Sequence, residues 1–274
     1  MGYLLLLLSS FDSLVNLGGG VFDAGFKTSF EVLLDPVGWL LALAGWWSLT
    51  QLSPVDAVQR GLMVAAYWAF AIQFSLVTVV KLTVTGLPLT RLEGFFWLST
   101  LGYASAAVGF GVAATTVSRF PSSRPESSVP ALYRPSRILI FVGYAVIAAS
   151  VVMSARDNIT SLFFSQANVT SVVDTFLSPV GAVFGAVGWW FLCHFNARSA
   201  RQQALIANGY LALGLALAVG AIERLLTISQ MVGPPELTRW MWLEACGDVL
   251  GAIGFLLAFR QRASAGATAQ SAVA

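Results

Sequence analysis

The sequence predicts an all-α, polytopic membrane protein of about eight transmembrane helices, arranged as two tandem four-helix repeats in parallel orientation. Three observations predict it. Of 274 residues, 57% are apolar and 10% charged, with a mean hydropathy of +0.77. Soluble domains carry about 25% charged residues, so this chain must face lipid over most of its area. The apolar runs are continuous rather than alternating, which excludes a barrel. They approach the roughly 20 residues that a hydrocarbon core of about 30 Å requires of a helix, and in lipid every backbone polar group must pair internally. Finally, DPVGWLLALAGWW from Asp35 recurs as SPVGAVFGAVGWW from Ser178.

The first repeat is placed at 1–118, with helices over 3–17, 36–52, 61–82 and 94–118. Segment 3–17 is the weakest, being short and containing Asp12; a truncated span, a tilted span or an interfacial helix all fit it. The start MGYLLLLLSSFDS lacks the basic region and cleavage site of a secretory signal. Leu6 stands where a myristoylation motif needs Ser or Thr. The start is therefore read as mature sequence. In segment 36–52, Pro36 suits a first helical turn, where its missing N–H costs nothing. Gly38 and Gly45 are seven apart and share a face on which another helix can approach closely.

A cytoplasmic linker rich in Pro and Ser follows at 119–136, carrying Arg119, Arg124 and Arg134. The second repeat, 137–260, has helices over 137–155, 176–195, 204–226 and 240–259. The tail 261–274 is small and polar, and is expected to be disordered. The outward loops fall at 18–35, 83–93, 156–175 and 227–239. The first and third each have room for a short interfacial helix ahead of Pro-Val-Gly.

The register of the duplication is specific. A shift of 143 carries Pro36 to Pro179, Gly45 to Gly188, Trp46 and Trp47 to Trp189 and Trp190, Gln59 to Gln202, Tyr67 to Tyr210 and Lys81 to Arg224. A shift of 145 carries Gly109 and Phe110 to Gly254 and Phe255, and a shift of 141 carries Gly2 and Tyr3 to Gly143 and Tyr144. Leu, Ala and Val coincide easily in apolar segments; Pro, Gly, Gln and paired Trp do not. In this register Met1 aligns inside the fifth helix, so either the first helix is short by roughly its first turn and a half or the true start lies upstream. An even number of helices per repeat gives both halves one orientation, with a pseudo-twofold axis along the membrane normal. Nine Lys and Arg fall on the side of the linker and both termini against six on the other. The positive-inside rule then puts both termini in the cytoplasm.

Several functional classes are excluded at this level. A net charge of +2, without a basic patch interleaved with aromatics, gives no nucleic-acid partner. Walker, dinucleotide-binding, His-Glu-x-x-His and Gly-x-Ser-x-Gly motifs are all missing, so no catalytic residue is assigned and no enzyme is expected. His194 is the only histidine; beside Cys193 alone it is a weak metal signal, and no metal or cofactor is expected. Cys193 and Cys246 are placed toward opposite faces, too far apart to pair. Asn158 and Asn168 are sequons in an outward loop, relevant only in a eukaryotic source.

Candidate binding residues are the charges inside the spans. Glu244 and Asp248 are four apart on one helical face, and a carboxylate inside a span costs roughly 2.5–3.5 kcal/mol. Arg224 and Arg239 are the candidate partners. Ion or proton handling, a buried ion pair and interfacial solvation all remain open. Lys81 and Arg224 either snorkel to the headgroups or form matched sites for anionic groups. Glu223 faces Val80 in the register, which makes the halves electrically unequal. Gly38, Gly45, Trp46, Trp47, Gly181, Gly188, Trp189 and Trp190 are assigned to helix packing, with a gate or ligand-stacking surface and lipid contact as alternatives for the Trp pairs. The expected function is an integral membrane transporter or channel for a small solute or ion. In it Asp248 binds a cation or proton, while Lys81 and Arg224 shape access. The alternative is a non-catalytic structural or assembly subunit of a larger membrane complex. Expected partners are membrane lipids, and either a second copy of the chain or other membrane subunits.

Overall fold

The computed structural model describes residues 2–17, 29–52, 54, 56–85, 93–119, 134–164, 169–195, 199–230 and 235–271. Among the described residues it consists of eight helices: α1 (Gly2–Leu17), α2 (Ser29–Thr50), α3 (Ala57–Thr85), α4 (Glu93–Ser118), α5 (Arg134–Phe164), α6 (Val169–Cys193), α7 (Ala200–Gln230) and α8 (Pro235–Ser271). Six of them, α3 to α8, are long and apolar enough to cross a membrane, which makes the chain a multi-pass helical membrane protein. The apolar part of α1, Gly2–Phe11, is shorter.

Three sequence expectations are corrected. First, the helices outrun their apolar segments. α5 and α7 have 31 residues each, about 46 Å at 1.5 Å per residue, so their ends project beyond a hydrocarbon core. Helix occupies most of the expected 156–175 loop, including Asn158, because hydropathy marks where lipid begins and backbone hydrogen bonding continues until a breaker intervenes. Second, Pro36 and Pro179 lie inside α2 and α6 rather than in their first turns. Each removes one backbone hydrogen bond, a loss that membrane helices tolerate more readily than soluble ones. The Ser178 hydroxyl, one residue before Pro179, turns to the carboxylate of Asp174. Third, the tail expected to be disordered from residue 261 continues α8 through Ser271. Its alternating alanines are strong helix formers, and they extend a helix already nucleated in the bundle. Residues 120–133 of the linker and Asn168 lie outside the described residues.

The helices pack in a closed cycle, each principally against two others. The order is α1, α2, α7, α8, α5, α6, α3, α4 and back to α1. Exchanging α1–α4 for α5–α8 maps this cycle onto itself. The halves meet where α2 packs on α7 and α6 on α3. A Cβ on Gly45 would lie 2.7 Å from Leu213 Cγ, and one on Gly188 would lie 2.8 Å from the Phe70 ring. Only glycine permits either crossing. Phe70 and Leu213 are themselves a pair in the 143-residue register.

Between lipid-exposed helices there is no hydrophobic driving force, and packing contacts carry the association. Here they are largely aromatic. Trp46 meets Phe110 edge-on at 4.9 Å, and Trp189 meets Phe255 edge-on at 5.0 Å. Tyr3 flanks Trp46 as Tyr144 flanks Trp189. Trp46 and Trp189 contact each other at 5.2 Å, joining the two sets. Their sequence neighbours point the other way, as residues about 100° apart on a helix must: Trp47 is 69% exposed and Trp190 is 44% exposed.

Polar contacts between helices are few and specific. The Ser150 hydroxyl on α5 donates to the Trp240 carbonyl on α8 at 2.7 Å. Measured interhelical hydrogen bonds in membranes average about 0.6 kcal/mol. Ser150→Ala is expected to lower unfolding stability in mixed micelles by about that amount, because Ser150 is buried and water cannot replace the lost bond. A loss below about 0.2 kcal/mol, a third of that average, would mean that the Trp240 carbonyl finds another donor.

A candidate solute cavity at the centre of the helix cycle

The cycle encloses a cavity of about 430 Å³ to which all eight helices contribute side chains. Two helices set its depth. Asp35, Trp39, Ala42 and Trp46 line it from α2, and Leu213, Leu217, Gly220 and Arg224 line it from α7. Both sets follow helical spacing and form one stripe on one face. Eleven residues at 1.5 Å per residue give a depth of about 16 Å.

The floor is apolar and closed. Trp46, Phe70 and Trp189 form it, all buried. Met63 and Ile206, beneath Phe70 and Leu213 on α3 and α7, are fully buried and continue the seal. Toward the other end the lining becomes charged and half-exposed, with Asp35, Glu223 and Arg224. The cavity is therefore reached from the end where α2 begins and α7 finishes.

Asp248 lies on α8 within this cavity and is only 3% exposed. Arg224 Nε stands 3.1 Å from Asp248 Oδ2 and 3.3 Å from Glu244 Oε2. One guanidinium on α7 thus bridges two carboxylates one turn apart on α8. The side chains grade from 31% exposed at Arg224 through 18% at Glu244 to 5% at Asp248. Such a triad answers the cost of placing a carboxylate inside a span. Gly220 on α7 packs beside it, where a Cβ would lie in ordinary contact, 3.4 Å from Asp248 Oδ2. With its two acids and one base, the triad carries a net negative charge when all three groups are ionised.

The structure brings together Asp248, Arg224 and Glu223 at the cavity, with Glu244 attached through Arg224. It leaves Lys81 out of the lining; Lys81 sits one turn beyond Val77, the last lining residue of α3. The side chain of Arg239, the other expected partner for Asp248, lies outside the described residues. Of the packing candidates, Gly38, Trp46 and Trp189 line the cavity. Gly181 faces the α3 backbone at Gln73 in ordinary contact, and Gly45 and Gly188 sit at the two close crossings. Cys193 is buried and Cys246 exposed, both as free thiols. His194 Nδ1 lies 2.6 Å from the Trp190 carbonyl. Among the described residues no group of three or more His, Cys, Asp or Glu has the arrangement of a metal site.

Sequence reasoning did not assign Asp35, Trp39, Tyr3, Tyr103 and Tyr144 to the site, although all line the cavity. A usable signal existed for two of them. Asp35 and Trp39 are four apart at the start of an apolar segment, which puts a carboxylate and an indole on one face. No family model, curated protein or solved structure matches the chain, so the chemistry of the cavity is read from its own geometry.

Proposed function

We propose that this protein is a transporter for a small solute, in which the central cavity is the solute site. On this reading α1–α4 and α5–α8 are two copies of one four-helix unit in parallel orientation. All eight helices cross the bilayer, and both termini lie in the cytoplasm. The exposed faces that carry Trp47 and Trp190 contact lipid. The observation that carries the proposal is the cavity itself: it draws on every helix, opens toward one end and is closed at the other. The closure falls between the halves, where Trp46 of α2 meets Trp189 of α6. Rocking one four-helix unit against the other would part these rings and expose the cavity to the opposite side, as parallel-repeat transporters do. A subunit serving only as assembly surface has no need of a cavity of about 430 Å³ with a charged entrance.

The test needs no knowledge of the solute. In a Cys193→Ala, Cys246→Ala background, single cysteines at Ala216 and Met63 are labelled with a membrane-impermeant thiol reagent from each side of sealed, oriented vesicles. Ala216 lines the cavity and Met63 lies beneath its floor. Ala216→Cys is expected to react from one side and Met63→Cys, more slowly, from the other. If Met63→Cys resists the reagent from both sides, the floor never opens and the structural-subunit alternative takes precedence.

A further inference from the structure

One wall of the cavity is a closed set of four aromatic rings. Tyr3 neighbours Trp39 at 6.0 Å, Trp39 neighbours Tyr103 at 6.2 Å, Tyr103 neighbours Phe74 at 5.9 Å, and Phe74 returns to Tyr3 at 5.8 Å. They come from α1, α2, α4 and α3, and all four line the cavity. Asp35 lies one turn before Trp39 on α2 and lines the cavity as well. The corresponding positions of the second half hold Tyr144, Ala182, Leu217 and Asp248. The second half therefore has no such box, and where the first half has Tyr103 it has the buried carboxylate Asp248.

The physical consequence is a preference for positive charge without strong hydration. Aromatic faces carry negative potential, and a cation within about 6 Å of a ring centroid is attracted to it, most strongly when desolvated. All four rings line the cavity with neighbouring centroids near 6 Å apart, so a cation resting on this wall comes within that range of two rings at once. An inorganic cation keeps its hydration shell and gains little from such a wall. An alkylated ammonium has already exchanged that shell for methyl groups, and it fits both the rings and the carboxylates. Among the described residues that line the cavity, Asp35, Glu223 and Asp248 are carboxylates and Arg224 is the one strong base.

We infer that the cavity binds a small organic cation through an alkylated ammonium group, held against the aromatic wall of Tyr3, Trp39, Phe74 and Tyr103 with Asp35, one turn from Trp39, as the flanking carboxylate. This rests on the cavity being a solute site, as proposed above. The same group occurs in free solutes and in choline lipid headgroups, so the chemistry is common to both sources.

The full chain, reconstituted in phosphatidylglycerol nanodiscs, is tested for saturable binding of radiolabelled choline. Displacement by unlabelled choline is compared with displacement by 3,3-dimethyl-1-butanol, the neutral isostere. The isostere is expected to compete at least about tenfold less well, the factor a desolvated cation–π site supplies. Trp39→Leu and Asp35→Asn are each expected to weaken choline several-fold, and Trp47→Leu, on the outer surface, to leave it unchanged. Equal competition by the neutral isostere overturns the inference. So does the absence of saturable binding, or equal loss in Trp47→Leu. The isostere comparison uses the unmutated protein and holds even if a variant misfolds. Repeating the measurement in phosphatidylcholine nanodiscs separates the sources: unchanged binding of free choline supports a soluble cation, and competitive loss supports a lipid headgroup. Failure here is distinct from failure of transport. Choline binding with Met63→Cys unreactive from both sides keeps this inference and removes the transporter. Two-sided accessibility without cation binding does the reverse.

Discussion

Arg224→Met is expected to cost about 3 kcal/mol of folding stability, the low end for breaking a buried ion pair. The low end applies because Arg224 is 31% exposed and already partly solvated. The loss comes from what the substitution leaves behind. Asp248 is almost wholly buried, Glu244 stands one turn away, and both lean on one guanidinium nitrogen. Without it two carboxylates share a low-dielectric site, and one must take up a proton or draw water into the bundle. Arg224→Lys should recover part of the loss, since a compact ammonium supplies charge without the planar geometry that lets a guanidinium serve two acids. Arg224→Met combined with Glu244→Gln and Asp248→Asn should recover most of it, because the stranded charges go with their partner. Reversible unfolding in mixed micelles, read for the single, the Lys variant and the triple, separates these cases. A single variant as stable as the parent would mean that the triad is fully hydrated and that Asp248 is held by water rather than by Arg224.

The sequence carried the membrane class and the helix order in its composition and continuous apolar runs, which depend on the solvent and not on tertiary detail. It also singled out Asp248, Glu244 and Arg224, because charge inside an apolar segment is conspicuous. Glu244 and Asp248 four apart allowed one partner to serve both. That Arg224 is such a partner was not legible, since Arg224 and Arg239 are both near in sequence and it is the packing of α7 on α8 that brings Arg224 to both carboxylates. The aromatic box was hidden for a different reason. Tyr3, Trp39, Phe74 and Tyr103 lie on four helices, and nothing in a single helix pattern reveals that α1, α2, α3 and α4 bring those positions to one cavity wall. The Trp pairs mislead in the same way. Trp46 and Trp47 look equivalent as a motif, yet one is core and one is surface, because adjacent helical residues cannot share a face. Pro36 and Pro179 read naturally as helix starts; membrane helices accept internal proline more readily than soluble ones, and the apolar segments gave no sign of the turns that precede them.

Gly143→Ala is expected to destabilise the protein by about 2–3 kcal/mol, near the upper end for overpacking. A Cβ at Gly143 would lie 2.5 Å from Gly251 N, 2.7 Å from Gly247 O and 2.8 Å from Gly251 Cα. All three are backbone atoms of α8, so no side chain can rotate away and the two helices must separate. Gly247 and Gly251, four apart, form the small-residue face that allows this approach. The same design recurs between α1 and α4, where a Cβ on Gly2 would meet the backbone of Ala106 at 2.5 Å. Gly61→Ala supplies the contrast. It has no neighbour within 4 Å and lies in α3, so it should gain up to about 1 kcal/mol from helix propensity alone. Opposite signs for one chemical change would establish that contact geometry, not loss of glycine, sets the effect. The consequence reaches the cavity, because Tyr144 follows Gly143 and Asp248 follows Gly247, and both line it. Moving α5 off α8 shifts a ring and a carboxylate together. Gly143→Ala should therefore weaken choline binding even in the fraction that remains folded. Full binding in that fraction would mean that α8 moves as a unit with α7, keeping Asp248 on Arg224 and leaving α5 to yield alone.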